Sequence, residues 1–144
     1  MLAASRALLV SVAFLAACGG TAHQAGGSQG TAYAVTVRSG GNAVGHFDLT
    51  GLRALPAVDV ATPQSQGKQV QHGPLVRTVL ARAGVQQFSR LRVVGLDRAQ
   101  TFSSAEIDDQ VVLDFDNRGT VKLAGAHLSQ DRWVQDVTEL DAQS

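Results

Sequence analysis

Cys18 is the only cysteine among 144 residues. No intrachain disulfide can form, so whatever folds must be held by buried apolar surface alone. Its position matters as much as its solitude. It closes a short apolar run, Ala7 to Phe14, which follows a single positive charge at Arg6. A basic start, an apolar stretch of under about ten residues and small residues before a cut make a secretory signal. The run is too short to span a bilayer, which takes roughly 20 apolar residues. Residues 1–17 are therefore expected to be removed on export.

Leu15-Ala16-Ala17-Cys18, followed by Gly19-Gly20, resembles the lipobox of bacterial lipoproteins. The resemblance implies that the Cys18 thiol carries a diacylglyceryl group and that the chain is cut just before it. Cys18 then becomes a lipidated N-terminus, and the rest is tethered to a membrane on the side facing away from the cytoplasm. The plainer alternative is an ordinary secretory signal cleaved near Ala17, with Cys18 a stray thiol. Residues 18–32 read as a tether in either case. Gly19 to Thr31 lacks large apolar side chains and is rich in Gly, Ser, Thr, Ala and Gln, so burial cannot offset its ordering entropy. His23 lies in this tether and reads as solvated. A single domain is expected from Tyr33 to Ser144, large enough to bury a core without a wide margin.

Charge excludes one class of partner. Twelve Lys and Arg balance twelve Asp and Glu, with no basic block. A nucleic-acid binder concentrates its cations on one face, so no nucleic-acid partner is expected.

The folded part reads as many short strands with a few brief helices. Tyr33 to Arg38 alternates and is β-branched, Ser39 to Asn42 is turn chemistry, and Ala43 to Phe47 closes a hairpin. Asp48 is placed to cap a helical turn over Leu49 to Leu55, stopped by Pro56. Val58 and Val60 start a strand, a polar loop follows from Thr62 to Gly67, and Lys68 to His72 reads as another strand. The spacing of Leu75, Val76, Val79, Leu80 and Ala83 predicts a helix, with Pro74 at its first position and Gly84 as a left-handed cap. Ser89 to Gly95 is a strand, and Ser103 to Glu106 has capping-box spacing for one short turn of helix. Gln110 to Phe115 and Thr120 to Leu123 make a hairpin about Asp116 to Gly119. Arg132 to Leu140 alternates and reads as the last strand. The absence of a βαβ rhythm argues for an α+β, β-rich mixed domain with short peripheral helices.

Most chemical motifs fail. Asp114 to Gly119 opens like a calcium loop, but Arg118 stands where a fifth-position oxygen is needed and Gly125 where a bidentate Glu is needed. His46, His72 and His127 have no neighbouring His or Cys at metal-ligand spacing. No nucleophile motif or phosphate-binding Gly-Lys loop occurs, and Asp108-Asp109 reads as helix-end polarity. No catalytic residue and no metal ligand is assigned.

An ordered set of six elements nevertheless resembles the molybdopterin-binding domain of sulfite-oxidase-like oxidoreductases. They are Phe47 to Pro56, His72 to Val85, Leu91 to Asp97, Phe102 to Ile107, Val111 to Gly119 and Arg132 to Val137. The resemblance implies that family's mixed fold. It also implies a ligand groove near Thr62, His72, Asp97, Arg98 and His127. The departures bear on function. The catalytic members place a molybdenum-ligating cysteine just after the strand equivalent to Val58 to Ala61, where this chain has Ala61-Thr62-Pro63. A hydroxyl does not replace a soft thiolate. Arg98 stands where the family has Gly after Asp97, and the phosphate-side loop is reduced to Ala124 to Leu128.

Three functions remain open on these grounds. The first is a membrane-anchored lipoprotein with a non-catalytic domain that binds a ligand or a protein partner in the cell envelope. On this reading no cofactor is expected. The second is a molybdenum-cofactor oxidoreductase or its cofactor-holding subunit, with molybdopterin implied by the resemblance alone. The third is a structural envelope lipoprotein.

The anchor makes the first prediction. Burial contributes about 0.8 kcal/mol per CH₂, so two acyl chains anchor stably where one binds marginally. Cys18→Ala, expressed behind a cleavable non-lipid signal, is expected to leave the membrane fraction on immunoblots of fractionated cells. Retention there would contradict lipid anchoring.

Overall fold

The structure is a computed structural model and describes residues 32–144. The signal, Cys18 and nearly all of the tether lie outside the described residues. The elements run β1 (Ala34–Ser39), β2 (Asn42–Asp48), α1 (Leu49–Arg53), β3 (Ala57–Ala61), β4 (Val70–Pro74), α2 (Val76–Arg82), β5 (Arg90–Val94), β6 (Ala99–Ser103), β7 (Val111–Phe115), β8 (Val121–Gly125), a 3-10 turn (Gln130–Arg132) and β9 (Glu139–Gln143). The expected β-rich mixed character, with few and short helices, is what these elements show. No helix among the described residues is long and apolar enough to cross a membrane.

Period-two alternation builds the main sheet, whose order is β2-β1-β9-β5-β6. Val35, Val37, Leu91, Val93, Phe102, Leu140 and Ala142 point to one face and are buried. Arg38, Arg90, Arg92, Glu139 and Asp141 lie between them along the strands and face outward. β9 joins the halves, running parallel to β1 and antiparallel to β5. The hairpins β3-β4 and β7-β8 form two further pairs. The apolar residues of β7-β8, α1 and α2 join the sheet's inner face in one cluster, including Leu52, Val79, Leu80, Leu113 and Leu123, with Trp133 beside them.

Local signals explain the ends of several elements. Asp48 accepts the Gly51 N–H at 2.7 Å and starts α1, a cap that contributes about 1 kcal/mol. Gly84 has φ of +86° after α2, and Gly119 has φ of +77° in the β7-β8 turn.

Four boundaries differ from the sequence reading. β4 begins at Val70 rather than Lys68 and runs on through Pro74, which is not the first residue of α2. The cause is a backbone contact: a Cβ on Gly73 would lie 1.8 Å from the Leu113 carbonyl oxygen of β7. Leu75 then bridges Val112, so the chain stays extended until Val76. Second, the Ser103–Glu106 box forms, with Ser103 N donating to Glu106 Oε2 at 2.7 Å and Glu106 N to Ser103 Oγ at 3.3 Å. No helix follows, because Arg77 donates to the carbonyls of Ser104 and Ile107 and Ile107 is drawn into the core. Third, Ala99 to Ser103 is a strand that weak local alternation concealed. Fourth, the last strand is not Arg132 to Leu140. Val134 bridges Leu123 of β8, Asp136 turns the chain at φ of +48°, and β9 begins only at Glu139.

Gly73 supplies the prediction. Any side chain there must push β4 off β7, and overpacking of this kind costs about 3 kcal/mol or more. Gly73→Ala is expected to lower the urea midpoint severely or prevent folding. A midpoint equal to the parent's would contradict the contact.

Candidate functional site

The loop from Thr62 to Gln69 and its surroundings hold most of the residues that the sequence singled out. Thr62 follows β3 directly and is fully buried. Its hydroxyl accepts from Gln71 Nε2 at 3.0 Å, and its N–H donates to the Gln69 carbonyl at 2.8 Å. Gln71, on β4, is also fully buried and donates to the Lys68 carbonyl at 2.6 Å. Its Oε1 has no hydrogen-bond partner. Thr62 therefore closes a hydrogen-bonded corner, and its side chain faces no open groove.

Two ties hold this loop down. Gln64 Nε2 lies 3.0, 3.1 and 3.1 Å from the carbonyl oxygens of Gly125, Ala126 and Leu128. An amide nitrogen has two hydrogens to share among three acceptors, so this side chain clamps the loop to the end of β8. Lys68 Nζ sits 2.6 Å from Asp114 Oδ1. Asp114 is 1% exposed and also accepts the His72 N–H at 2.6 Å, with Lys122 at 3.7 Å. A buried carboxylate is tolerable only with such partners.

The remaining residues lie around this corner or apart from it. His72, exposed on β4, places Nδ1 2.6 Å from Asp59 Oδ1 on β3. His127 places Nδ1 2.9 Å from Asp108 Oδ2. Asp97 and Arg98 belong to a different depression of about 300 Å³, shared with Gln130, Asp131, Trp133 and Gln135. There Arg98 Nη1 donates to the Asp131 carbonyl at 2.7 Å. Thr62, His72 and His127 are thus linked through one loop and its clamps, while Asp97 and Arg98 line a second place. Gln64, Gln71 and Asp59 carry no signal in the sequence, and Asp108 reads there only as helix-end polarity. Only a polar residue inside an apolar strand, such as Asp114 in Val111 to Phe115, gave any signal.

A cavity of about 220 Å³ runs beside β3, lined by Val58, Asp59, Val60, Ala61, Asp109 and Gln110. This cavity and the Thr62 corner occupy the vicinity where the resemblance would put a molybdopterin group. The donors present do not fit that group. The hydroxyl of Thr62 is hard and already engaged, Ala61 offers nothing, and Asp59 and Asp109 are carboxylates that would repel a phosphate. No cluster of three or more His, Cys, Asp or Glu is gathered for a metal among the described residues.

No protein-family model matches the chain, and no curated protein matches it. Among solved structures it is similar to the crystal structure of the sulfane dehydrogenase SoxCD from Paracoccus pantotrophus. The TM-score is 0.60 at 17% identity, over 77% of this chain. The match spans 38% of that chain, so this chain corresponds to well under half of the enzyme. At this identity the likeness concerns the fold.

Asp108 gives the site a pH dependence. Burial pushes its carboxyl up, but the hydrogen bonds from His127 and the Gln110 N–H, helped by the charges of His127 and Arg77, outweigh burial and hold it below the ordinary 3.8. A carboxyl depressed in the folded state contributes stability above its unfolded value, and that contribution is lost as pH falls through the lower folded value. The expected outcome is that Asp108→Asn flattens the loss of urea stability below pH 3.8 while removing some stability at neutral pH. Parallel curves for parent and variant across that range would contradict it.

Proposed function

We propose that this chain is an extracytoplasmic lipoprotein, anchored by lipid on Cys18, whose domain keeps a molybdopterin-oxidoreductase-like scaffold without its redox chemistry and binds a partner in the cell envelope. One observation carries the reading. Where the sulfite-oxidase-like enzymes place a metal-ligating cysteine, this chain has Thr62, fully buried and spent on Gln71. The fold likeness to a sulfane dehydrogenase supports the scaffold half of the proposal. The clamped loop supports the other half. Gln64 and Lys68 tie down the segment that a bound cofactor would need open. The loss of a catalytic role and the membrane anchor are both parts of this proposal.

The test is elemental and pterin analysis of the full-length protein expressed in its own cell envelope. Plasma mass spectrometry is expected to find no stoichiometric molybdenum, and oxidation followed by fluorescence no pterin. Molybdenum and pterin in equal amounts with the chain would overturn the proposal and restore the oxidoreductase reading.

A further inference from the structure

The strand edges of this fold are not treated alike. The outer edge of β6 is capped by side chains: Arg132 Nη2 donates to the Thr101 carbonyl at 3.0 Å, and Glu106 takes the Ser103 N–H at 2.7 Å. Arg132 and Glu106 also pair with each other at 3.1 Å. The opposite edge, β2, carries a bulge: Val37 faces Gly45 and Arg38 faces Ala43, so Val44 is the extra residue. Capping and bulging are the devices by which sheets avoid unwanted pairing. β8 is covered by its bridge to Val134.

β3 has neither device. Its register with β4 is regular from Ala57↔Pro74 to Ala61↔Val70. Beyond the strand end, Thr62 N donates to the Gln69 carbonyl, so the bonded pairs alternate back from 62/69 to 60/71 and 58/73. Ala57, Asp59 and Ala61 then direct their N–H and C=O groups to the outside. No backbone bond to another element takes them among the described residues. The hairpin also exposes Val58 at 36% and Val70 at 48%. The cavity lined by Val58 to Ala61 of β3 is completed by Asp109 and Gln110, which brings the Asp109 carboxylate into the surroundings of this strand. Asp59 faces the imidazole of His72, and among the described residues no Lys or Arg pairs with Asp59 or Asp109.

We propose that the outer edge of β3 is a strand-addition site for an extended segment of a partner protein that carries lysine or arginine. The free backbone groups of Ala57, Asp59 and Ala61 supply the pairing, and the carboxylates of Asp59 and Asp109 select a basic segment. The inference rests on the binding reading above and names its surface and the chemistry of its partner.

The test uses the full-length protein, labelled for NMR, and two blocked synthetic peptides. One alternates lysine with valine, and the other alternates glutamate with valine. The lysine peptide is expected to shift the amide signals of Ala57, Asp59 and Ala61 and to bind at least about tenfold tighter than the glutamate peptide. Ala61→Pro removes an outward N–H without touching the β3-β4 bonds and is expected to abolish binding. Should that variant fail to fold, the double substitution Asp59→Lys and Asp109→Lys is expected to reverse the preference toward the glutamate peptide. Shifts confined to other residues, equal binding of both peptides, or an unchanged preference in the lysine variant would each overturn the site. A cofactor-free protein that ignores the lysine peptide loses this site alone. Stoichiometric molybdenum would remove the underlying reading whatever the peptides do.

Discussion

The carboxylate of Asp114 is the point on which the candidate site hangs. It is buried near the end of β7, in a strand that is otherwise apolar, and it is bound from three directions. Lys68 reaches it from the loop, His72 from the backbone of β4, and Lys122 from β8. Without those partners a charge at that depth would not be tolerated. With them it fixes one loop and two strands to β7. The close passage of Gly73 against Leu113 brings β4 near enough for the His72 N–H to reach it.

The other clamps follow from that arrangement. Once Lys68 is held, its carbonyl orients the Gln71 amide, and Gln71 orients the hydroxyl of Thr62. Gln64 closes the far end of the loop on the carbonyls at the end of β8. A chain of hydrogen bonds thus runs through the segment that the resemblance to molybdopterin domains marks as the metal-ligand position. The loose end of this chain of bonds is Gln71 Oε1, buried and unpartnered. Its companion nitrogen is fixed by two acceptors, so flipping the amide would set its oxygen against the Lys68 carbonyl.

Much of the fold could be read from local pattern, and the failures have a common cause. The hairpin about Gly119, the Asp48 cap and the Gly84 terminus depend on neighbouring residues alone, and each stands where the sequence put it. Pro74, the strand from Ala99 to Ser103 and the true start of β9 depend on contacts between distant segments. β9 pairs with β1 across roughly a hundred residues, and no window of sequence contains that pairing. The alternation from Trp133 to Val137 was real, but it reflects docking against β8, with Asp136 breaking the chain before β9 begins. The site was less legible than the fold. Thr62 drew notice only through the missing cysteine, and the glutamines that bind and clamp its loop carry no pattern at all.

A closed, cofactor-free scaffold requires the Thr62 corner to be shut in solution. Hydrogen exchange at the amides of Thr62 and His72 measures this directly, because the N–H of buried Thr62 is committed to the Gln69 carbonyl and that of His72 to the buried Asp114 carboxylate. Both are expected to exchange among the slower amides of the chain, opening only with the β3-β4 and β7-β8 hairpins around them. Exchange as fast as that of the amide of exposed Gln66 would mean the loop stands open, and the reading of a closed, cofactor-free scaffold would be contradicted.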